Sequence, residues 1–471
     1  METKFNVVTA EIVDQIRNSV TCKVYEGEAI NVDLFRDEMP IYGEGKPDVV
    51  VEAECTEDVA NVVKICYDNN IPVIARGAGS GLVGAGVAID GGVMIDMSFF
   101  NKIISYDEDD FVVVVEPGVL LDQLAIDAAA KGYLYPPDPG ERLATLGGNV
   151  STNAGGMRAV KYGTTRDYVR KMEVVLPTGE ITTFGANVSK TSTGYSLINL
   201  MIGSEGTLGI ITKLMLEFIP NPTEDISLIV PFENLRDSLA LVPELFKNHL
   251  DPQSIEFMEK EIVISSERYV GKAIFPRVID GVEANAYLLI RFDGNDQDAL
   301  YEVAEKAGEL CLENGALDVL IADTPAKKKE AWKARGAFLE AIVAETQLLD
   351  ECDVVVPVGK IADYLTYVKE VGKDFDFEVK TFGHAGDGNL HIYTCSNDME
   401  IEEFKKQVHE FMLKIYQKAY EFGGQLSGEH GVGSGKKQYL AQFENKVNIE
   451  LMKGIKKVFD PKGILNPHKV I

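Results

Sequence analysis

The sequence predicts an α+β protein built of two architecturally different parts. Three observations carry that expectation. Strand-like and helix-like runs alternate over the first 220 residues. Two prolines in Phe218-Ile219-Pro220-Asn221-Pro222 then break the pattern. From about residue 226 to 425, longer helices separate runs that read as antiparallel strands.

In the first part, residues 49–51 read as a strand and 57–68 as an amphipathic helix. Further strands are expected near 73–75, 93–96, 103–106 and 111–115, with a helix over 120–131. In the second part, strands are expected at 227–232, 286–292, 353–356, 378–382 and 390–394. Helices are expected at 235–248, 298–314, 326–345 and 402–422, an arrangement compatible with ferredoxin-like units. Phe459-Asp460-Pro461-Lys462-Gly463 stops a last helix and leads into an ordered tail. The expected divisions are therefore 1–222, 223–425 and 426–471, the last returning to the first part.

Composition narrows the function classes. The 471 residues hold 46 Lys+Arg against 74 Asp+Glu, a net charge of −28 that repels phosphate backbones and anionic lipid. No run approaches the roughly 18 apolar residues of a membrane span. The start, Met1-Glu2-Thr3-Lys4-Phe5, has no apolar signal core, so a cytoplasmic protein is expected. Six cysteines at 22, 55, 66, 311, 352 and 395 lack the local spacing of an iron–sulfur or zinc module.

The 43 glycines bunch in 76–92, 147–163, 203–209, 383–388 and 423–435. Gly79-Ser80-Gly81-Leu82-Val83-Gly84 matches G-x-G-x-x-G after a strand, but Asp90-Gly91-Gly92 makes another turn where a Rossmann crossover helix would have to run. A nicotinamide site is not expected. The small residues from Gly77 to Gly81 still let backbone N–H groups converge on an anion such as a pyrophosphate.

Together with Arg76-Gly77-Ala78-Gly79-Ser80-Gly81-Leu82, the segments Pro136-Pro137-Asp138-Pro139, Gly147-Gly148-Asn149, Asn153-Ala154-Gly155-Gly156 and Gly203-Ser204-Glu205-Gly206-Thr207-Leu208-Gly209 resemble the FAD-binding domain of the vanillyl-alcohol oxidase (PCMH-type) superfamily. Within it, the chain is similar to the D-lactate dehydrogenase, glycolate oxidase large-subunit and D-2-hydroxyglutarate dehydrogenase branch, over essentially its whole length. The resemblance implies FAD contacts at Arg76, Gly77, Ala78, Gly79, Ser80, Gly81, Leu82, Pro136, Pro137, Asp138, Gly147, Gly148, Ser151, Thr152, Ala154, Gly156, Glu205, Gly206, Ile211 and Asn466. Covalent members carry a His in the first loop where this chain has Ser80, so non-covalent FAD is implied.

His384 and His391 flank a tight turn in Gly383-His384-Ala385-Gly386-Asp387-Gly388-Asn389-Leu390-His391. If the flanking strands pair, the two imidazoles make a workable bite for one divalent ion. On the residues alone, two satisfied core or surface histidines are an equal alternative. Glu429 in Ser427-Gly428-Glu429-His430-Gly431 is a candidate third ligand, a donor set that suits Zn, Mn or Fe. The resemblance favours the metal and makes the neighbouring His430 the catalytic base. Arg335 shares a helical face with Trp332, Phe338, Leu339 and Ile342, so it is expected to point inward, as a guanidinium gripping a carboxylate would. The family has a carboxylate-binding Arg there, and Asn389 matches a substrate contact.

These expectations converge on oxidation of a D-2-hydroxy acid, with D-lactate preferred to glycolate or D-2-hydroxyglutarate. The run Asp350-Glu351-Cys352-Asp353 is acidic where a diacid branch carries an extra basic residue. With no cluster wiring in the chain, electrons are expected to leave to a partner such as electron-transfer flavoprotein or an iron–sulfur subunit. A homo-oligomer is compatible with the sequence; nucleic acid and a transmembrane segment are not expected. Two rival readings are a metal-dependent hydrolase, which lacks G-x-S-x-G and H-E-x-x-H motifs, and a catalytically silent flavin-binding relay.

Overall fold

A computed structural model describes residues 5–471; Met1 to Lys4, part of the polar start discussed above, lie outside the described residues. The chain divides into two compact units. The first comprises Met1–Ala154, Thr164–Asn221 and Glu429–Ile471; the second comprises Gly155–Gly163 and Pro222–Gly428.

The first unit contains two main sheets. One has the strand order Val24–Glu26, Val49–Glu52, Val93–Asp96, Val73–Arg76. Val49–Glu52 and Val73–Arg76 both run parallel to Val93–Asp96. Turns and bends, not a helix, join Val73–Arg76 to Val93–Asp96, which is why the glycine motif here is no Rossmann unit. Helix Thr56–Asn69 buries Val59, Val62, Val63 and Cys66 at helical spacing, and stops where Asn70 turns left-handed (φ 55°). Its apolar face joins Val49, Val51, Val73, Val93 and Ile95 in one core.

Ile464 and Leu465 from the far end of the chain complete that core. Val73 N–H donates to Ile464 C=O at 2.8 Å, and Asn466 N–H to Val73 C=O at 2.8 Å. Fully burying two such side chains stabilises by about 1.5–3 kcal/mol each. The second sheet is antiparallel, ordered Ile103–Asp107, Val112–Val115, Ile210–Glu217, Val169–Val175, Ile181–Gly185.

The second unit is built on a seven-stranded antiparallel sheet. Its order is Leu320–Ala322, Glu224–Phe232, Ala286–Gly294, Ser254–Glu259, Glu378–His384, Asn389–Ser396, Leu348–Val355. One face carries Met258, Tyr287, Leu289, Phe382 and Tyr393, packed against Ala331, Ala334, Phe338 and Ile342. The single helix expected over 326–345 is in fact two, Pro325–Gly336 and Phe338–Glu345, separated at Ala337. Gly336 is a weak helix former, and the break lets both halves bury apolar side chains in the same core.

Candidate active site

The site in the second unit starts from a hairpin. Strands Glu378–His384 and Asn389–Ser396 pair so that His384 opposes Asn389 and His391 opposes Phe382. The two histidines are therefore diagonal neighbours on one face, with ring centroids 5.2 Å apart and planes at 89°. A nitrogen of each lies within 4.8 Å of the other, and the residues are 6% and 4% exposed. Gly388 closes the turn at φ +86°, where an added Cβ would sit 2.0 Å from Val356 C=O. Only glycine fits there.

Two acids organise this hairpin. Glu256, on strand Ser254–Glu259, opposes His384 in register. Its side chain is wholly buried, and both carboxylate oxygens lie 2.9 Å from His384 Nδ1. Arg335 Nε and Nη2 donate to Glu256 Oε2 at 2.9 and 2.6 Å. The guanidinium is held over the rings of Phe338 and Phe382, 5.1 and 4.8 Å from their centroids. Burial pushes the Glu256 carboxyl up, but the charges and hydrogen bonds of His384 and Arg335 outweigh it, and its pKa ends below the ordinary value.

Asp353 is the second acid. It accepts from Asn389 Nδ2 at 2.6 Å, Ser427 Oγ at 2.7 Å and Gly428 N–H at 3.0 Å, and its Oδ1 lies 3.9 Å from His391 Nδ1. An added Cβ at Gly428 would meet Asn389 Nδ2 at 2.2 Å, so the Asn389 amide lies directly against that backbone. Sequence reading singled out His384, His391, Asn389 and Arg335, and Arg335 does point inward; it did not single out Glu256 or Asp353. The available signal for Glu256 was an acid inside the apolar strand Ile255-Glu256-Phe257-Met258.

The chain passes from Gly428 into the first unit, where Glu429 and His430 lie in a segment without regular structure. His430 Nε2 is 3.8 Å from Glu429 Oε1. The loop after them is pinned by Glu205, whose carboxylate accepts the N–H groups of Val432 and Gly433, both at 2.8 Å. An added Cβ at Gly431 would meet Glu205 Oε1 at 2.8 Å. Burial pushes the Glu205 carboxyl up to about 7, against the pull of those two amides and Lys469.

The glycine-rich loops also belong to the first unit. Among the described residues, the N–H groups of residues 77 to 83 have no protein acceptor, while Gly84 N–H is taken by Asp37. Arg76 is spent inward, donating to the carbonyls of Gly86, Asp33 and Arg36 at 3.2, 3.2 and 2.7 Å. An added Cβ at Gly77 would lie 2.1 Å from Thr145 Oγ1, and Gly79 sits at φ +78°. Thr145 caps helix Leu146–Thr152, which contains Gly147 and Gly148; Ser151 and Thr152 return their hydroxyls to those two carbonyls.

Tyr135 Oη, Asn149 Nδ2 and Asn466 Oδ1 are buried without partners. Asn466 Nδ2 instead donates to Ala85 and Glu205 carbonyls. A row of unclaimed amides, with buried and unpartnered polar atoms in the same unit, fits an anionic, polyhydroxylated cofactor such as FAD. Of the other expected contacts, Ala154 and Leu82 are each 8% exposed and Ile211 is 7% exposed, whereas Asp138 pairs with Arg142 at 3.2 Å. Gly206 adopts φ +70°, and Gly156 falls within the second unit's Gly155–Gly163.

Two family descriptions match the chain: "FAD binding domain" over residues 47–185, and "FAD linked oxidases, C-terminal domain" over 221–470. A D-lactate dehydrogenase of Anaerostipes hadrus is 60% identical over 469 residues, covering 100% of this chain and 99% of that protein. The glycolate oxidase subunit GlcD of Bacillus subtilis (strain 168) is 35% identical over 437 residues, covering 92% and 91%. The structure of p-cresol methylhydroxylase with substrate bound aligns with a TM-score of 0.78 at 19% identity, covering 98% and 96%, a likeness of fold. These matches agree with the PCMH-type FAD-binding fold expected from the glycine loops, and no described helix is long and apolar enough to cross a membrane. With both domains present, the chain belongs to the FAD-linked oxidase family that includes D-lactate dehydrogenases and glycolate oxidase subunits, and it is an FAD-dependent oxidoreductase acting on a CH–OH donor.

Proposed function

We propose that the protein oxidises D-lactate to pyruvate with the help of one divalent metal ion. The observation that carries this reading is the buried group Arg335–Glu256–His384 beside His391, a cation next to a two-imidazole bite. The near full-length similarity to a D-lactate dehydrogenase supports the substrate.

Arg335 binds the substrate carboxylate. Glu256 occupies its Nε and Nη2 edge, so the grip uses the Nη1 corner, steadied by the two phenyl rings. Asn389 spends its Nδ2 on Asp353 and the Val354 carbonyl, which leaves its Oδ1 to accept from the hydroxy acid. His384, His391 and Glu429 would hold the metal, two nitrogens and one carboxylate with open positions. Gly428, the residue before Glu429, is tied to Asp353, so Glu429 leaves the backbone one peptide from that anchored point. His430 takes the hydroxyl proton at Nε2, the nitrogen nearer Glu429. When bound, FAD supplies the two-electron acceptor for the Cα hydride and the metal supplies Lewis acidity toward the hydroxyl.

A short monocarboxylate suits the site better than a diacid. Glu351 and Asp353, on the sheet face that carries His391, are 0% and 2% exposed, and these buried acids would repel a second carboxylate. Glycolate is the second reading, supported by the similarity to a glycolate oxidase subunit.

Electrons then pass to a separate carrier, an electron-transfer flavoprotein or an iron–sulfur subunit. The six cysteines support this, because four are buried apart from any ligand set found among the described residues.

Turnover with D-lactate, L-lactate, glycolate and D-2-hydroxyglutarate, using an artificial dye as acceptor, tests the proposal. D-lactate is expected to be fastest. Chelation should abolish its oxidation, and Zn²⁺, Mn²⁺ or Fe²⁺ should restore it. Activity indifferent to prolonged chelation, with no metal found in the protein, would remove the metal from the account.

A further inference from the structure

We propose that Glu256 is a positioning residue that fixes the two halves of the substrate site at once. One buried carboxylate sets the tautomer of His384 and the orientation of Arg335. The proposal deepens the functional reading above and rests on its assignment of His384 as a metal ligand.

Glu256 sits opposite His384 across paired strands, so backbone register alone delivers its carboxylate to the imidazole. Both oxygens approach Nδ1 at 2.9 Å, and Oε2 also receives Arg335 Nε and Nη2 at 2.9 and 2.6 Å. The Glu256 side chain is 0% exposed, while those of Arg335 and His384 are each 7% exposed. A carboxylate at such depth is tolerated only when donors surround it. Three N–H groups from two side chains meet that need.

Consequences follow for both partners. If Nδ1 carries the proton given to Glu256, the lone pair of His384 lies on Nε2, the nitrogen left to bind a cation. The Arg335 guanidinium is planar, so locking Nε and Nη2 and covering its faces with Phe338 and Phe382 leaves one direction for Nη1. Because His384 and Arg335 share one acceptor group, anything that moves the carboxylate disturbs the metal bite and the carboxylate grip together. A plain packing role for Glu256 would couple neither.

Glu256→Gln is the sharp test. It keeps the shape but leaves one good acceptor for three donors and points an NH₂ group at one of them. Wild-type and variant proteins, loaded with flavin and stripped by chelation, are titrated with Zn²⁺. The variant is expected to bind Zn²⁺ about 10- to 100-fold more weakly, the usual effect of losing a carboxylate behind a ligating histidine, with its flavin content unchanged. Its KM for D-lactate should rise as well, and Glu256→Asp, which keeps both acceptor oxygens, should recover part of each loss.

Because the variants could fold poorly, the wild type provides its own readout. In Zn²⁺-loaded, ¹⁵N-histidine-labelled protein, with His384→Asn used to assign the signal, Nδ1 of His384 should carry a proton and Nε2 the metal. Metal on Nδ1, or Zn²⁺ affinity unchanged in Glu256→Gln, would overturn the proposal while leaving the metal reading standing. A wild type that binds no divalent ion would instead overturn the metal reading, and this proposal with it.

Discussion

Glu205 ties the loop after His430 to the flavin unit through two backbone amides, and it does so as a buried acid whose pKa is pushed up to about 7. Lys469, whose charge pulls against that burial, is itself buried and lowered to about 8, with Asp37, Asp90 and Lys437 also acting on it. An acid that keeps its proton longer when folded contributes stability that is full below its ordinary pKa of 4.5 and is lost as pH rises through about 7. The stability of wild type relative to Glu205→Gln, measured by urea unfolding, should therefore fall between pH 5 and 7; a rise would contradict the assignment.

The thiols offer a second residue-scale check. Cys66, Cys311, Cys352 and Cys395 are buried, and burial pushes Cys311 and Cys395 up to about 12. A thiol reagent should label Cys55 first in the native protein, then Cys22, which burial and Asp58 also push up to about 12, and reach all six only after denaturation. At this scale the sequence singled out side chains that the fold then buries around one hairpin, because histidines around a glycine turn and an arginine on an apolar helix face are unusual. It hid Glu256 and Asp353, which reach His384 and His391 only through cross-strand pairing with segments more than a hundred and about forty residues away.

Among the elements, the hairpin Glu378–His384 with Asn389–Ser396 was readable because its apolar alternation and glycine turn agree. Its register was not, and register makes His384 and His391 diagonal instead of directly opposed. Gly388→Ala would place a Cβ against Val356 C=O at φ +86°, and should cost about 1–3 kcal/mol in urea unfolding and disturb the spacing of His384 and His391. Gly77→Ala should behave differently. Its Cβ would push on Thr145 Oγ1 at the start of the glycine-bearing helix, so the protein should fold but be isolated with depleted flavin, as read from its visible absorbance. The break at Ala337 escaped sequence reading because the apolar spacing continues across it; Gly336 is the only local hint.

Over the whole molecule, the glycine loops made the flavin domain legible, since their number exceeds what turns require. The division into units was harder to read. Gly155–Gly163 belongs to the second unit, held there by Lys161 and Tyr162 on Asp293 at 2.9 and 2.7 Å, a link between residues more than 130 positions apart. Ile464 and Leu465 join the first unit's core in the same long-range way. The net charge of −28 gives an anionic substrate no general attraction, so the proposed function needs a local cation, the role it assigns to Arg335. Arg335→Met should raise KM for D-lactate at least tenfold, with flavin retained, whereas Arg335→Lys should restore charge but not the planar hold of Glu256 and recover only part of the loss.

The most direct measurement is a single anaerobic turnover. Purified yellow protein is mixed with D-lactate in the absence of any acceptor, and flavin absorbance and pyruvate are followed together. Bleaching of the flavin with one pyruvate formed per flavin is the expected result, absent with L-lactate and lost in His430→Ala that still holds FAD. A flavin that stays oxidised in the presence of D-lactate and metal would contradict the account.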